Sequence, residues 1–213
     1  MTYAVKETFY TLQGEGANAG RPAVFLRFTG CNLWTGRSDQ RDDGPGGCSR
    51  WCDTDFVGTD GPGGGRFKHP SQLAEHVEQA WQGGSEGRFV VCTGGEPSLQ
   101  LDSELLAELH QRGFEVAVET NGTRTLPDGI DWICVSPKAG SQLIINTGQE
   151  LKLVVPQEGL NPSDFAGLDF KHFFLQPLDG PARALNTAIA VDYCKNNPRW
   201  RLSLQTHKYI GIP

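Results

Sequence analysis

The sequence predicts an α/β fold, a partial (β/α) barrel of about six mostly parallel strands with about three helices. Three observations predict it. Short apolar runs recur along the chain, each ending in a polar or glycine-containing cluster. Helical spacings of apolar residues lie between some of them. Several runs are apolar at successive positions instead of alternating, as in a parallel sheet covered on both faces. So few elements cannot complete an eightfold barrel, so an open one is expected, with its strand-end clusters on one rim.

In order, the run 23–29 leads to Gly30-Cys31 and then to a loop rich in Gly and Asp. A helix capped by Ser71 carries Leu73, Ala74, Val77, Ala80 and Trp81 on one face and closes at Gly83. The strand 88–92 leads to Thr93-Gly94-Gly95-Glu96-Pro97. A second helix, capped by Asp102 or Ser103, places Leu105, Leu106 and Leu109 inward before Gly113. Strands follow at 115–118, before Glu119-Thr120-Asn121-Gly122, and at 132–135, before Ser136-Pro137-Lys138. Two more, 151–155 and 172–175, lead to Pro156 and to Gln176-Pro177-Leu178-Asp179. Pro181 opens a third helix with Leu185, Ala188 and Ile189 inward, ending before Pro198.

A chain of 213 residues suits one domain, 1–213, with a core that needs no disulfide staples. Its net charge of −6 and pI near 5.4 disfavour a nucleic-acid surface. No apolar run approaches the ~20 residues that cross a bilayer, so no membrane association is expected. The polar start lacks a signal-peptide core, which predicts a reducing cytoplasm where structural disulfides are rare. Glycine, 27 residues in all, is dense between Gly44 and Gly65. Its Gly58–Gly65 part lacks the Lys-Ser/Thr of a phosphate-binding loop and reads as a flexible surface loop.

The loop 30–56 holds Cys31, Cys48 and Cys52, three of six cysteines. Three thiolates can hold three irons of a cubane cluster and leave the fourth iron open to a ligand. The same spacing admits structural zinc with a histidine, or a disulfide of Cys48 with Cys52 or Cys31. Thr93–Pro97 reads as a turn, or as a place where backbone approaches a ligand closely. Cys92, Cys134 and Cys194 read as small buried hydrophobes. Cys52-Asp53-Thr54-Asp55 reads as a capping turn or as hard oxygen ligands for magnesium. Arg27 matches a carboxylate bidentately, or pairs at the surface, and a Gln amide with a Glu carboxylate can read a guanine-like edge.

Three cysteines after the first strand and Gly-Gly-Glu-Pro after the next resemble the radical S-adenosylmethionine superfamily. Leu12-Gln13-Gly14-Glu15-Gly16, Cys52-Asp53-Thr54-Asp55, Glu119–Gly122, Ser136–Lys138 and an end at Pro213 narrow this. Together they resemble the 7-carboxy-7-deazaguanine synthases over essentially the whole chain. The cysteine intervals depart from the superfamily's usual three and two residues. Here they are sixteen and three, and the Gly44–Gly47 segment is expected to absorb the extra residue.

The resemblance implies that Cys31, Cys48 and Cys52 hold a [4Fe-4S] cluster and that Thr54 binds magnesium. Trp51, Asp53, Gly95, Ser136, Pro137, Lys138 and Gln176, Pro177, Leu178 and Asp179 would contact S-adenosylmethionine. Leu12, Gln13, Gly14, Gly16, Arg27, Thr93 and the terminal carboxylate of Pro213 would hold a small pterin. Glu15, Glu119 and His207 would read its base or move protons. The implied reaction takes hydrogen from C6 of 6-carboxy-5,6,7,8-tetrahydropterin, contracts the ring and expels ammonia, giving 7-carboxy-7-deazaguanine for queuosine. A flavodoxin- or ferredoxin-type donor and a homodimer come with it. An activating enzyme acting on a partner polypeptide and a non-catalytic zinc module are the rival readings.

Overall fold

The structure, a computed structural model, describes residues 2–41 and 47–213. Positions 44–46 of the glycine segment expected to absorb the extra residue lie outside the described residues. The strands are β1 (Tyr3–Leu12), β2 (Pro22–Phe28), β3 (Gly65–Phe67), β4 (Phe89–Gly94), β5 (Glu115–Thr120), β6 (Trp132–Val135), β7 (Thr147–Val155), β8 (Asp169–Pro177) and β9 (Trp200–Leu202). The helices are α1 (Pro70–Ala80), α2 (Ser103–Gln111), α3 (Arg183–Asn196) and α4 (Thr206–Ile210).

The described strands form one nine-stranded sheet in the order β3-β1-β2-β4-β5-β6-β7-β8-β9. From β2 onward every neighbouring pair is parallel, whereas β1 runs antiparallel to both β2 and β3. All six expected strands are present, several of them longer than expected. The strands β1, β3 and β9 add to them.

Alternation along each strand splits the sheet into two faces. Val24, Leu26 and Phe28 of β2 and Val90 and Cys92 of β4 pack outward against Leu73, Val77, Leu105 and Leu109 of α1 and α2. Leu151, Leu153, Phe173 and Leu175 pack outward with Ala190 and Trp200. The opposite face starts apolar, with Ala23, Phe89, Val91 and Ala117, and turns polar toward the strand ends. That polar end is the rim.

Asp102 caps α2 by accepting from the Leu105 amide at 2.9 Å, and its carboxylate also takes the Tyr3 hydroxyl at 2.8 Å, tying α2 to β1. Helix α1 begins at Pro70, with His69 extended before it, so Ser71 lies inside the helix and does not cap it. Helix α3 turns the opposite way from expectation. Leu185 and Ile189 are 63% and 45% exposed and Ala188 is exposed as well, while Asn186 and Ala190 face the sheet. The Asn186 amide donates to the Leu178 carbonyl at 2.8 Å, and this buried polar bond sets which face docks.

The Gly58–Gly65 segment is not a free loop. The Gly61 amide donates to the Lys6 carbonyl and Pro62 accepts from the Thr8 amide, so the segment lies along β1 and ends in β3. A Cβ on Gly64 would stand 2.3 Å from the Lys6 oxygen, which explains the glycine there. Among the described residues no helix is long and apolar enough to cross a membrane.

Candidate active site at the rim

The loop after β1 bridges the sheet. The Gly16 amide donates to the Ser203 hydroxyl beyond β9, and the Ala17 amide donates to buried Glu150 on β7. Gly14, after the second strand of the sheet order, accepts from the Thr206 amide at 3.0 Å and the Thr206 hydroxyl at 2.8 Å. Strands separated in sheet order are thus joined face to face, as in an open barrel. Between them lies a cavity of about 440 Å³ that Cys31, Cys48, Cys52, Thr93, Glu119 and His207 all line.

All three cysteines are free thiols, so the disulfide alternative is not realised. Cys31 follows β2 at the rim, where the Leu33 amide donates to its sulfur at 3.4 Å. Cys48 and Cys52 lie one helical turn apart: the Cys52 amide donates to the Cys48 carbonyl at 2.8 Å. This turn absorbs the extra residue and sets both thiols toward one side. Burial pushes the Cys31 thiol up, and pushes Cys48 up to about 11, with the neighbouring Cys52 contributing in both cases. Among the described residues no three His, Cys, Asp or Glu side chains gather tightly enough for a single metal ion. Three thiols lining one cavity are the donor set that a cubane cluster takes.

The Gly94-Gly95-Glu96 turn packs directly on the first cysteine. A Cβ on Gly95 would lie 2.2 Å from the Gly30 oxygen and 2.8 Å from the Cys31 Cβ, so only glycine permits this approach. Glu96 is fully buried and accepts from the Ser98 amide (3.0 Å), the Thr120 hydroxyl (2.7 Å) and the Asn121 amide (2.8 Å). It therefore locks the ends of β4 and β5 together behind the cavity.

The interior wall of β1 and β2 is built from cross-strand pairs. Phe9 faces Phe25, stacked at 5.5 Å, and Glu7 faces Arg27. Glu7 accepts from Arg27 Nε at 2.7 Å, and among the described residues the two Nη atoms make no hydrogen bond. The guanidinium is thus a paired charge and still offers its fork to an anion. Across the cavity, Gln13 donates to Glu119 Oε1 at 3.1 Å and Thr93 to Glu119 Oε2 at 3.4 Å. Glu15 accepts from Lys152 at 2.5 Å and from Gln205 at 3.0 Å. Burial opposes its charge, but Lys152, Gln205 and His207 outweigh burial and hold the Glu15 carboxyl below its ordinary range.

Leu12, Gly14 and Pro213 also line this end, with Pro213 accepting from the Thr11 hydroxyl at 3.1 Å. Gly16 lies outside the cavity, and its Cβ would meet Glu150 at 2.0 Å. On the cysteine side, Trp51, Asp53, Ser136, Lys138 and Gln176 line the cavity. Lys138 donates to Ser136 and stands 5.8 Å from the Trp51 ring centroid. Thr54 lines it too, and among the described residues its hydroxyl makes no hydrogen bond, so it is free for a hard cation.

Not every expected contact reaches the cavity. Pro137 is buried beneath the turn, where its carbonyl accepts from Gln157. Leu178 uses its backbone to close the end of β7, and Pro177 and Asp179 line a side recess under Lys208. Lys208 bridges Asp53 at 2.6 Å and Asp179 at 2.8 Å, so α4 straps the rim. Cys92 and Cys134 are buried as expected and Cys194 is half-buried, but Cys134 also donates to Glu150 at 3.4 Å.

Sequence reasoning missed Lys152, Gln205 and Lys208. A lysine interrupting the apolar run Leu151–Val155 was the available signal for the first.

Comparison with known proteins adds independent findings. Residues 45–150 match the family described as Radical SAM superfamily. The 7-carboxy-7-deazaguanine synthase of Burkholderia multivorans is 59% identical, and that of Caulobacter vibrioides 61%, each over 100% of both chains. The corresponding Synechocystis sp. synthase is 32% identical over 100% of this chain and 94% of its own. The crystal structure of QueE from Escherichia coli matches with a TM-score of 0.72 at 29% identity, covering 97% of this chain and 95% of that one.

Proposed function

The chain belongs to the 7-carboxy-7-deazaguanine synthases of the radical S-adenosylmethionine superfamily, and from that premise we propose how its cavity is divided among cluster, cofactor and substrate. It is a radical S-adenosylmethionine lyase that forms 7-carboxy-7-deazaguanine in queuosine and 7-deazapurine biosynthesis. A [4Fe-4S] cluster and S-adenosylmethionine are its cofactors. The readings as a zinc module and as an activating enzyme give way to this membership.

In our reading the substrate is 6-carboxy-5,6,7,8-tetrahydropterin and the whole chain acts as one unit, with its cluster loop at 30–56. The observation that carries it is that the three cysteines and the Gln13–Glu15–Glu119 wall open on the same cavity. Cys31, Cys48 and Cys52 hold the cluster. Gly95, Trp51, Asp53, Ser136, Lys138 and Gln176 orient S-adenosylmethionine, with Trp51 against the adenine; Pro137, Pro177, Leu178 and Asp179 shape the turns beneath. When bound, these cofactors supply one-electron reductive cleavage and hydrogen-atom abstraction. Phe9 and Phe25 give the pterin an apolar wall, the free Arg27 fork takes its carboxylate, and Thr54 brings magnesium to that carboxylate. Gln13, Thr93, Glu119 and His207 face its heterocycle, and the α4 strap keeps water out. Leu12, Gly14 and Pro213 shape that end of the cavity, and Gly16 anchors the loop behind it on Ser203.

A homodimer in the cytoplasm, fed by a flavodoxin- or ferredoxin-type donor, completes the proposal; the exposed Leu185–Ile189 face of α3 supports the dimer. Anaerobic incubation of the reconstituted enzyme with 6-carboxy-5,6,7,8-tetrahydropterin, S-adenosylmethionine, reductant and magnesium tests it. Formation of 7-carboxy-7-deazaguanine with 5′-deoxyadenosine is the expected result. No product from cluster-loaded protein would refute the substrate assignment.

A further inference from the structure

Two carboxylates, Glu15 and Glu119, enter the substrate end of the cavity, and one buried cation lies between them. Lys152 projects from β7 with its side chain only 5% exposed. Its ammonium donates to Glu15 Oε2 at 2.5 Å and stands 3.4 Å from Glu119 Oε1. A buried lysine opposite a substrate cavity costs several kcal/mol unless it is paired, so its presence calls for a reason.

The bonds differ between the two acids. Each oxygen of Glu15 holds a close donor: Oε2 takes Lys152 and Oε1 takes Gln205 Nε2 at 3.0 Å. On Glu119, Oε1 takes Gln13 at 3.1 Å as well as Lys152, but Oε2 has only the Thr93 hydroxyl at 3.4 Å. That long contact leaves Oε2 the acceptor most available to a ligand.

We propose that Lys152 is a positioning residue that divides the labour of the two acids: it consumes Glu15 as a structural anion and aims Oε2 of Glu119 at the N–H edge of the substrate. The ligand class is a cyclic guanidine or amidine with adjacent N–H donors. This rests on the pterin reading above. The neighbouring Glu150 on the same strand plays a parallel part, holding the Ala17 amide at 2.9 Å so that the loop bearing Glu15 keeps its place. Burial disfavours the Lys152 ammonium, yet the carboxylates of Glu119 and Glu15 outweigh burial and keep it protonated.

The test uses anaerobic holoenzyme of wild type, Lys152→Met, Lys152→Arg, Glu15→Gln and Glu119→Gln. Equilibrium dialysis gives the pterin Kd, steady-state assays give KM and kcat, and 5′-deoxyadenosine made without pterin reports the cofactor half alone. Lys152→Met is expected to raise the pterin Kd and KM about tenfold or more, the cost of losing a well-placed buried acceptor. Its substrate-free 5′-deoxyadenosine formation stays at the wild-type level, and Lys152→Arg recovers most of the affinity. Glu119→Gln weakens pterin binding more than Glu15→Gln does. If Lys152→Met fails to fold, Glu15→Gln/Lys152→Met removes both charges of the close pair and carries the same expectation for Kd. A pterin Kd unchanged in the folded variant, or Glu15→Gln more damaging than Glu119→Gln, overturns the proposal. Wild type that neither binds nor consumes the pterin instead sinks the parent reading.

Discussion

Replacing Gly14 by alanine tests how the tail docks on the site. Gly14 is outside the left-handed region, so its backbone accepts alanine and the whole effect is steric. The added Cβ would stand 2.2 Å from Nδ1 of His207, 2.9 Å from its Cγ and 3.1 Å from its Cβ. Because the base of the imidazole side chain is met as well as its ring, rotation of the ring does not clear the clash. Helix α4 must back away. Doing so breaks both Thr206 bonds to the Gly14 carbonyl and strains the charge-assisted bond from Gln205 to Glu15. Taken at ~1 kcal/mol for each neutral bond and ~1.5–3 for the charged one, the docked tail loses about 3.5 to 5 kcal/mol. A domain typically holds 5–15 kcal/mol in all, so the sheet stays folded while the tail lets go. Hydrogen exchange at the Thr206 amide is the direct assay. It should speed up by about a hundredfold or more, while amides of the buried strands β4 and β5 keep their protection. The pterin KM should rise in step. Wild-type exchange at Thr206 together with an unchanged KM would refute the docking geometry.

Other outcomes follow from the same structure. Glu15 has a depressed folded pKa, so the stability its ion pair contributes is complete above the ordinary carboxylate range near ~4.3 and is lost as pH falls below it. Lys152 is raised, so its share is complete below the ordinary ammonium range near ~10.4 and fades only in stronger base. With Glu119, Glu150, Cys134, Lys138 and His207 also facing this pair, thermal melts should weaken in acid, and Glu15→Gln should flatten that slope. Glu96→Ala strands three donors and should cost about 3 kcal/mol or more, lowering Tm by about 6–12 °C in a calorimetric scan. Alanine at any one of Cys31, Cys48 or Cys52 should remove the brown chromophore and most of the about four irons per chain after anaerobic reconstitution. Thr54→Ala should keep those irons yet lose the response of turnover to added magnesium; an unchanged response would exclude the hydroxyl as a ligand.

How far the fold could be read depended on what each strand faces. Strands covered on both sides, such as Phe89–Gly94, announce themselves as unbroken apolar runs. Strand β1 does not, because its cavity face carries Lys6 and Glu7, and buried Thr8 interrupts its other face. That polar interruption mimics a loop. Helix α3 has apolar residues on more than one side, so spacing alone chose Leu185 and Ile189; the buried Asn186 bond to Leu178 decided otherwise. The cysteines, Glu15 and Glu119 stood out because acids and thiols beside glycine turns are conspicuous at strand ends. Lys152 was hidden within a strand, since its meaning comes from acids 137 and 33 positions away.

The bridge across the barrel has a consequence for biosynthesis of the polypeptide itself. Gly14 meets Thr206 across 192 positions and Gly16 meets Ser203 across 187. At translation rates of ~5–20 residues per second, about 10–40 s separate the appearance of those partners. Helices α1 and α2 and the central strands have neighbours to fold on long before then, but the wall that α4 closes does not exist. A ribosome-bound chain would therefore hold a formed scaffold with an unfinished mouth, and the pterin would find its seat only after the last segment emerges.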